Sequence, residues 1–408
     1  MSSPAPNSPH PAGPPSPSLW RVGLAAAFLG LMLSSVYYYW TSQSANQRQE
    51  LHTPEQTEAE LALPEGGIRT DAFSLKLLQA ALEEQTGNVT VAPSALTEAI
   101  LSLQAVDGNS IDETCQKFGL QDKEPSAATL PHHFLQIFVD ESQALGAENR
   151  SLMTIPIKRD PVLASAFINR LALPQQHQAD LMLKASDVCP EDQFITAIDQ
   201  KFAPSWLHPI GPQHMAMLPF TTAFGMPESP TMQVADLYRV VQAPDDTWEA
   251  VALFFKKETG TQNDDWVSLV IVHPKVGTAR RLAEKLTVEQ ISDIRKALVE
   301  TPARPYNLQI PPLQVRATCS NALPLLLKMG LNPLPLSREG NNKGTQARGS
   351  IYLQYSISIG ASPEDESKSA TAAVEGYPLL PINSSYLWWI GSLTSPAPFL
   401  YMGVVEHP

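Results

Sequence analysis

The segment FLYMGVVEHP, residues 399–408, decides the fold, because it is an apolar strand where a chain is usually loose and polar. Tyr401, Met402, Val404 and Val405 leave little polar surface to face water. The reading that follows is a strand held inside a sheet, and earlier parts of the chain must supply that sheet.

The composition allows it. A chain of 408 residues makes one large domain or two average ones. Apolar residues make up 43% and charged residues 17%, enough for a sizeable core. The net charge of −13 and the absence of a basic stripe exclude an ordinary nucleic-acid binder. Cys115, Cys189 and Cys319 fit no metal-ligand spacing, and an odd number cannot form a complete disulfide framework. They read as small buried hydrophobes, with a single disulfide as the alternative.

The amino-terminal part is separate. Residues 1–19 are a Pro/Ser-rich tail that cannot bury enough surface to fold. Residues 20–40 contain nineteen uncharged positions, from Val22 to Trp40, close to the ~20 needed to cross a bilayer. Tyr37, Tyr38, Tyr39 and Trp40 gather at one end, where aromatic rings favour the interface. This reads as a transmembrane signal-anchor helix, with a cleaved signal peptide as the rival. Arg21 and Arg48 nearly cancel across the span, and the expected arrangement is a single-pass protein with its bulk on the extracytoplasmic side. Residues 41–69 form an acidic linker, and residues 70–408 form the folded domain.

That domain reads as α+β. Leu75, Leu78 and Leu82 recur at helical spacing, and Gly87 supplies a stop. A short strand at 88–92 precedes a helix opened by Pro93, with Leu96, Ile100 and Leu103 on one face. Further helices are expected at 110–118, 161–171 and 191–202. Thr287 and Gln290 form a capping-box pattern before Val288, Ile291, Ile294 and Leu298. IYLQYSISI, residues 351–359, alternates cleanly, with Ile351, Leu353, Tyr355, Ile357 and Ile359 on one face. Strands and helices do not alternate regularly, which excludes a doubly wound sheet.

Taken in order, these pieces resemble the serpin family. GNVTVAPSALTEAILSL (87–103), GNSIDETCQKFGL (108–120), WVSLVIVHP (266–274), RLAEKLTVEQISDI (281–294), YNLQIPPLQV (306–315), ALPLLLKMGL (322–331) and SPAPFLYMGVVEHP (395–408) are similar to successive serpin segments. The resemblance implies helices packed on a large main β-sheet, two smaller sheets and an exposed reactive-centre-like loop. It also implies a monomer that needs no cofactor or metal, is not an enzyme, and meets a serine or cysteine endopeptidase as its partner. A cut loop would insert into the main sheet as a new strand and carry the acylated protease with it.

Insertion buries every second loop residue, so it needs small, uncharged side chains. The hinge here contains Pro363, Glu364, Asp365, Glu366, Lys368, Ser369, Ala370 and Thr371. One register would bury Glu364, Glu366 and Lys368; the other would bury Asp365 and place Pro363, which lacks an N–H, in a ladder. SATAA, residues 369–373, is insertable. The scissile region implied by the family lies at Val374, Glu375, Gly376 and Tyr377. Counting back from Ile382 points to Val374, whereas side-chain character points to Tyr377. The serpin shutter serines fall at Ala92 and Ala95, and the shutter histidine falls near Leu353. The family's N-A-I-Y-F-K-G run is replaced by LPFTTAFGM, residues 218–226. The expectation is a membrane-tethered, non-inhibitory binding or scaffold serpin, with an active suicide inhibitor as the alternative.

Other motifs carry less. No G-x-S-x-G, H-E-x-x-H or Walker loop occurs. His132-His133 and Asp264-Asp265 read as solvated polar residues. Cys189, beside Pro190, reads as structural, with an activated thiol at a helix start as the alternative. Asn88 and Asn149 begin glycosylation-acceptor patterns that short sequences produce by chance.

Overall fold

The computed structural model describes residues 69–107, 120, 133–142, 152–172, 182–207, 210–256, 267–334, 347–361, 374–394 and 398–408. The anchor span at 20–40, the helix expected at 110–118, Cys115, Asn149, the aspartates 264–265 and the hinge residues Pro363 to Thr371 lie outside them. Among the described residues no helix is long and apolar enough to cross a membrane.

In chain order the elements are α1 (Arg69–Glu84), β1 (Val89–Val91), α2 (Pro93–Asp107), β2 (His133–Asp140), β3 (Leu152–Ile155), α3 (Pro161–Ala172) and β4 (Phe194–Phe202). Then come β5 (Met215–Pro219), β6 (Glu228–Gln242), β7 (Trp248–Phe254), β8 (Val267–Pro274), α4 (Ala279–Lys285), α5 (Val288–Glu300), β9 (Arg304–Ile310) and β10 (Leu313–Asn321). The last are α6 (Leu323–Lys328), β11 (Gly349–Ile359), β12 (Leu379–Pro381), β13 (Tyr386–Ser392) and β14 (Tyr401–Val405).

The strands form two sheets. One has five strands in the order β10-β11-β4-β2-β3. The other has nine, β1-β14-β13-β8-β7-β6-β9-β12, with β5 also on β6. The two smaller sheets expected from the resemblance are joined here, because the fifteen-residue β6 serves both. It pairs with β5 and β9 through its first two-thirds and with β7 through its last residues.

The closing strand is where its composition requires. β14 lies between β1 and β13, and all five of its residues are buried. Its neighbour β13 carries the fully buried Trp388 and Trp389 and lies between β14 and β8. Gly403 is required at this crossing. A Cβ there would sit 2.6 Å from the Val89 carbonyl and 2.9 Å from the Trp388 ring.

α1 buries Phe73, Leu75, Leu77, Leu78, Ala81 and Leu82, so it is covered over more than one stripe. Gly87, at φ +75°, turns the chain into β1. Pro93 opens α2, whose Leu96, Ile100 and Leu103 enter the same core. β11 alternates as its sequence indicates: Ile351, Leu353, Tyr355, Ile357 and Ile359 join the main core. Tyr352 points the other way, into a second cluster with Ala164, Ile168 and Ala172 of α3.

One element departs from expectation. Residues 194–202 form β4, not part of a helix over 191–202. Phe194, Ile198 and Phe202 recur every four residues, which imitates a helical stripe. β4 is interior to the five-stranded sheet, between β11 and β2, and is buried on both faces. A strand covered on both sides need not alternate, so its period carries no strand signal.

Of the two described cysteines, only Cys189 departs from the reading as a small buried hydrophobe. Cys189 is exposed and Cys319 partly buried, and both are free thiols. The Cys189 thiol donates to Glu191 Oε2 at 2.7 Å, and this bond holds its pKa above the ordinary value, so it is not an activated nucleophile. Burial pushes the Cys319 thiol up to about 12.

Candidate functional site

The loop site is framed by the seam between β4 and β11. These strands are adjacent and parallel, in continuous register from Gly349 opposite Phe194 to Ile357 opposite Phe202. A chain leaving the end of β11 and reversing would run antiparallel to both. Only a strand that separates them could occupy that position. At the top of the seam the Trp206 indole N–H donates to the Gly360 carbonyl at 3.0 Å. Trp206 is stacked on Phe255 with centroids 5.0 Å apart, so the indole is fixed where β4 ends and the loop departs from β11.

Lower down, Leu353 lies opposite Ile198 across the seam. Ala92 and Ala95, at the start of α2, are fully buried in the same core cluster as Leu353. The three positions assigned to a polar shutter are thus apolar and packed, with no hydroxyl or imidazole to exchange partners when strands move apart. The link between β11 and β1 is instead made by Tyr355, whose hydroxyl donates to the Thr90 carbonyl at 2.6 Å. Burial raises the Tyr355 pKa far above its usual value, so the hydroxyl stays a donor.

On the far side of the loop the chain is tied to β9 by one residue. Asn307 Oδ1 accepts the Val374 N–H at 2.9 Å, and Asn307 Nδ2 donates to the carbonyls of Val374 (2.9 Å) and Tyr377 (3.1 Å). The Asn307 backbone N–H donates to the Pro378 carbonyl at 2.9 Å. Inside this clamp the Tyr377 N–H returns to the Val374 carbonyl at 3.2 Å, and Gly376 sits at φ +92°. Val374–Tyr377 is therefore a closed turn with glycine at the third position, which needs positive φ. β12 follows, parallel to β9, with Leu380 buried while Tyr377 and Leu379 remain exposed.

The structure thus brings Val374, Glu375, Gly376 and Tyr377 together as one turn, while Ala92, Ala95 and Leu353 are each buried in the main core. Asn307 and Trp206 were not singled out by the sequence. The Glu375-Gly376 pair was a turn signal that could have pointed to the clamp. Asn88 uses both ends of its amide: Oδ1 accepts the N–H groups of Glu406 and His407 at 2.7 and 2.9 Å, and Nδ2 donates to the His407 carbonyl at 2.5 Å. A glycan on Nδ2 would compete with that anchor. Among the described residues no group of three or more His, Cys, Asp or Glu side chains is placed to hold a metal ion.

Comparison with solved structures identifies the architecture. The chain is similar to Manduca sexta serine protease inhibitor (serpin) 12, with TM-score 0.63 and 18% identity over 83% of this chain and 98% of that one. It is similar to mouse protein-Z dependent protease inhibitor, with TM-score 0.67 and 15% identity over 84% and 96%. A tumour suppressing serpin matches with TM-score 0.66 and 14% identity over 84% and 99%. No protein-family model and no curated protein sequence matches the chain. The chain has a serpin-like α+β fold. At these identities the likeness concerns the fold alone.

Proposed function

We propose that this chain is a membrane-tethered binding or scaffold domain of serpin-like fold that does not trap proteases by loop insertion. The observation that carries this reading is the clamp at Val374–Tyr377. A protease binds its substrate as an extended strand, whereas the residue counted as scissile has its N–H and its carbonyl engaged by Asn307. Gly376 at φ +92° cannot lie in an extended segment without leaving the turn. The apolar, buried residues at Ala92, Ala95 and Leu353 and the charged hinge from Glu364 to Lys368 support the same conclusion. The partner-facing element is the exposed edge Tyr377-Pro378-Leu379, and the tether is the apolar span at 20–40.

A second reading, an active suicide inhibitor of a serine or cysteine endopeptidase, is favoured by the parallel seam between β4 and β11. One experiment separates the two. The loop between Pro363 and Pro381 is nicked with subtilisin in the full chain held in detergent, and thermal unfolding is compared before and after. An unchanged or lower melting temperature is expected. A large rise would mean that the cut loop inserts, and would return the chain to the inhibitor reading.

A further inference from the structure

Away from the loop, three polar side chains from distant segments meet at the end of β8. Glu249 of β7 and His273 of β8 are directly opposed in the ladder. Glu249 Oε1 lies 3.6 Å from His273 Nδ1, an ion-pair separation just beyond hydrogen-bond length. On the other side of the ring, Nε2 lies 2.7 Å from Ser384 Oγ. His273 is more than nine-tenths buried, and its Nδ1 atom is buried with no hydrogen-bond partner. The facing imidazole holds the Glu249 carboxyl below its usual range, against burial, which pushes it up. Lys275, whose charge also lowers the Glu249 pKa, is paired with Asp246, and the Gln242 side chain hydrogen-bonds Glu249.

The serine is held from both sides. The Thr221 N–H donates to the Asn383 carbonyl at 2.7 Å, and Thr221 bridges Ser384 in parallel. The adjacent Ser385 hydroxyl accepts the Ala279 N–H at 3.0 Å. Ser384 itself is half-buried, leaving part of the residue open to solvent. A hydroxyl within hydrogen-bond reach of an imidazole, with a carboxylate behind the ring, is how an activated nucleophile is built. A purely structural bond between His273 and Ser384 does not by itself call for a partly buried carboxylate facing the other ring nitrogen, where desolvation opposes it.

We propose that Ser384 is a nucleophilic serine, with His273 as its general base and Glu249 as the positioning carboxylate, that accepts the acyl group of small carboxylic esters. Ser384 Oγ attacks the ester carbonyl as its proton passes to His273 Nε2. The bond from carbonyl carbon to Oγ forms, the bond to the alcohol oxygen breaks, and the alcohol leaves with the proton from His273. Water then gives a proton to His273 and adds to the acyl carbon. The Oγ–carbon bond breaks, and Ser384 recovers the proton. The partial burial of Ser384 limits the acyl group to a small one. The fate of the loop plays no part in this chemistry.

The test uses the full chain in detergent and a fluorophosphonate probe, with peptide mapping by mass spectrometry. Ser384 is expected to be modified, and S384A to lose that adduct. H273Q should slow labelling about a hundredfold, the scale of general-base assistance. E249Q should slow labelling of the folded protein and E249D should restore part of the rate, because Glu249 orients the ring; a merely structural carboxylate would leave the labelling rate of the folded protein unchanged. Melting temperatures are recorded for each variant, and S384A, at a half-buried site, keeps the test valid if H273Q does not fold. Hydrolysis of p-nitrophenyl acetate should fall with the same variants. An unmodified Ser384 in the folded protein, or equal labelling of Ser384 in folded H273Q, would overturn the proposal.

Discussion

Among the described residues, Asn307 makes three side-chain hydrogen bonds to the loop turn, and its removal has a readable consequence. In N307A the three side-chain bonds to Val374 and Tyr377 vanish, while the backbone bond to Pro378 stays. Each such bond is worth roughly 1 kcal/mol, about 3 kcal/mol for the three, so the turn should open about a hundredfold more often. Cleavage between Val374 and Tyr377 by dilute subtilisin, which follows the open population, should accelerate by that factor, with the melting temperature nearly unchanged. Asp140 gives a pH signature. Burial pushes its carboxyl up, but the Ser142 hydroxyl and the N–H groups of Lys158 and Ser142 more than offset this, and its pKa lies below the ordinary value. The stability it contributes is therefore present above the unfolded carboxylate value and is lost as pH falls through the lowered folded one. D140N should cost about 2 kcal/mol near neutrality, and the deficit should shrink in urea titrations run at acid pH.

At the scale of elements, legibility followed exposure. The start of α5 was readable to the residue because it faces solvent. The Thr287 hydroxyl accepts the Gln290 N–H at 3.3 Å, and the Gln290 side chain accepts the Thr287 N–H at 3.0 Å, as the capping box requires. T287A should destabilise the domain by about 1 kcal/mol, measurable as a shift in the urea midpoint at constant slope. β11 was readable because it alternates along most of its length, and β4 was not, because both its faces are covered. The clamp on Val374 was illegible for another reason: Asn307 and Val374 are 67 residues apart, and nothing local to YNLQI marks its asparagine as a partner for the loop. No local motif marks Ser384, His273 and Glu249 for the same reason, since the serine and the histidine are 111 residues apart.

For the molecule as a whole, one buried ion pair ties together layers that the sequence shows only separately. Arg295 of α5 donates to both carboxylate oxygens of Asp71 in α1, at 3.0 and 2.7 Å, and to the Ser392 carbonyl at the end of β13. Its guanidinium also lies 5.6 Å above the Phe399 ring, just ahead of β14. Both side chains are more than nine-tenths buried. D71N or R295M alone should cost about 3–5 kcal/mol, because each leaves a charge buried without its counter-ion. The double variant should recover part of that loss in a denaturation cycle. The family resemblance and the α+β class were visible beforehand, carried by a set of segments in order. The pairing of α1 with α5 was not, because no period in either helix names its partner.

The interlock of β1 with β14 also bears on how the domain comes to exist. The Glu406 N–H finds its acceptor on Asn88, 318 residues earlier, and the whole β1 ladder waits on that encounter. Until it happens, β14, apolar along its whole length, has one open edge. Closing so long a loop defers the reward for ordering everything between, which makes the search slow and leaves an adhesive intermediate exposed meanwhile. Copies held at one membrane surface by the proposed tether would meet one another in that state more often than copies in free solution. For this chain, then, the hazardous period is assembly rather than service.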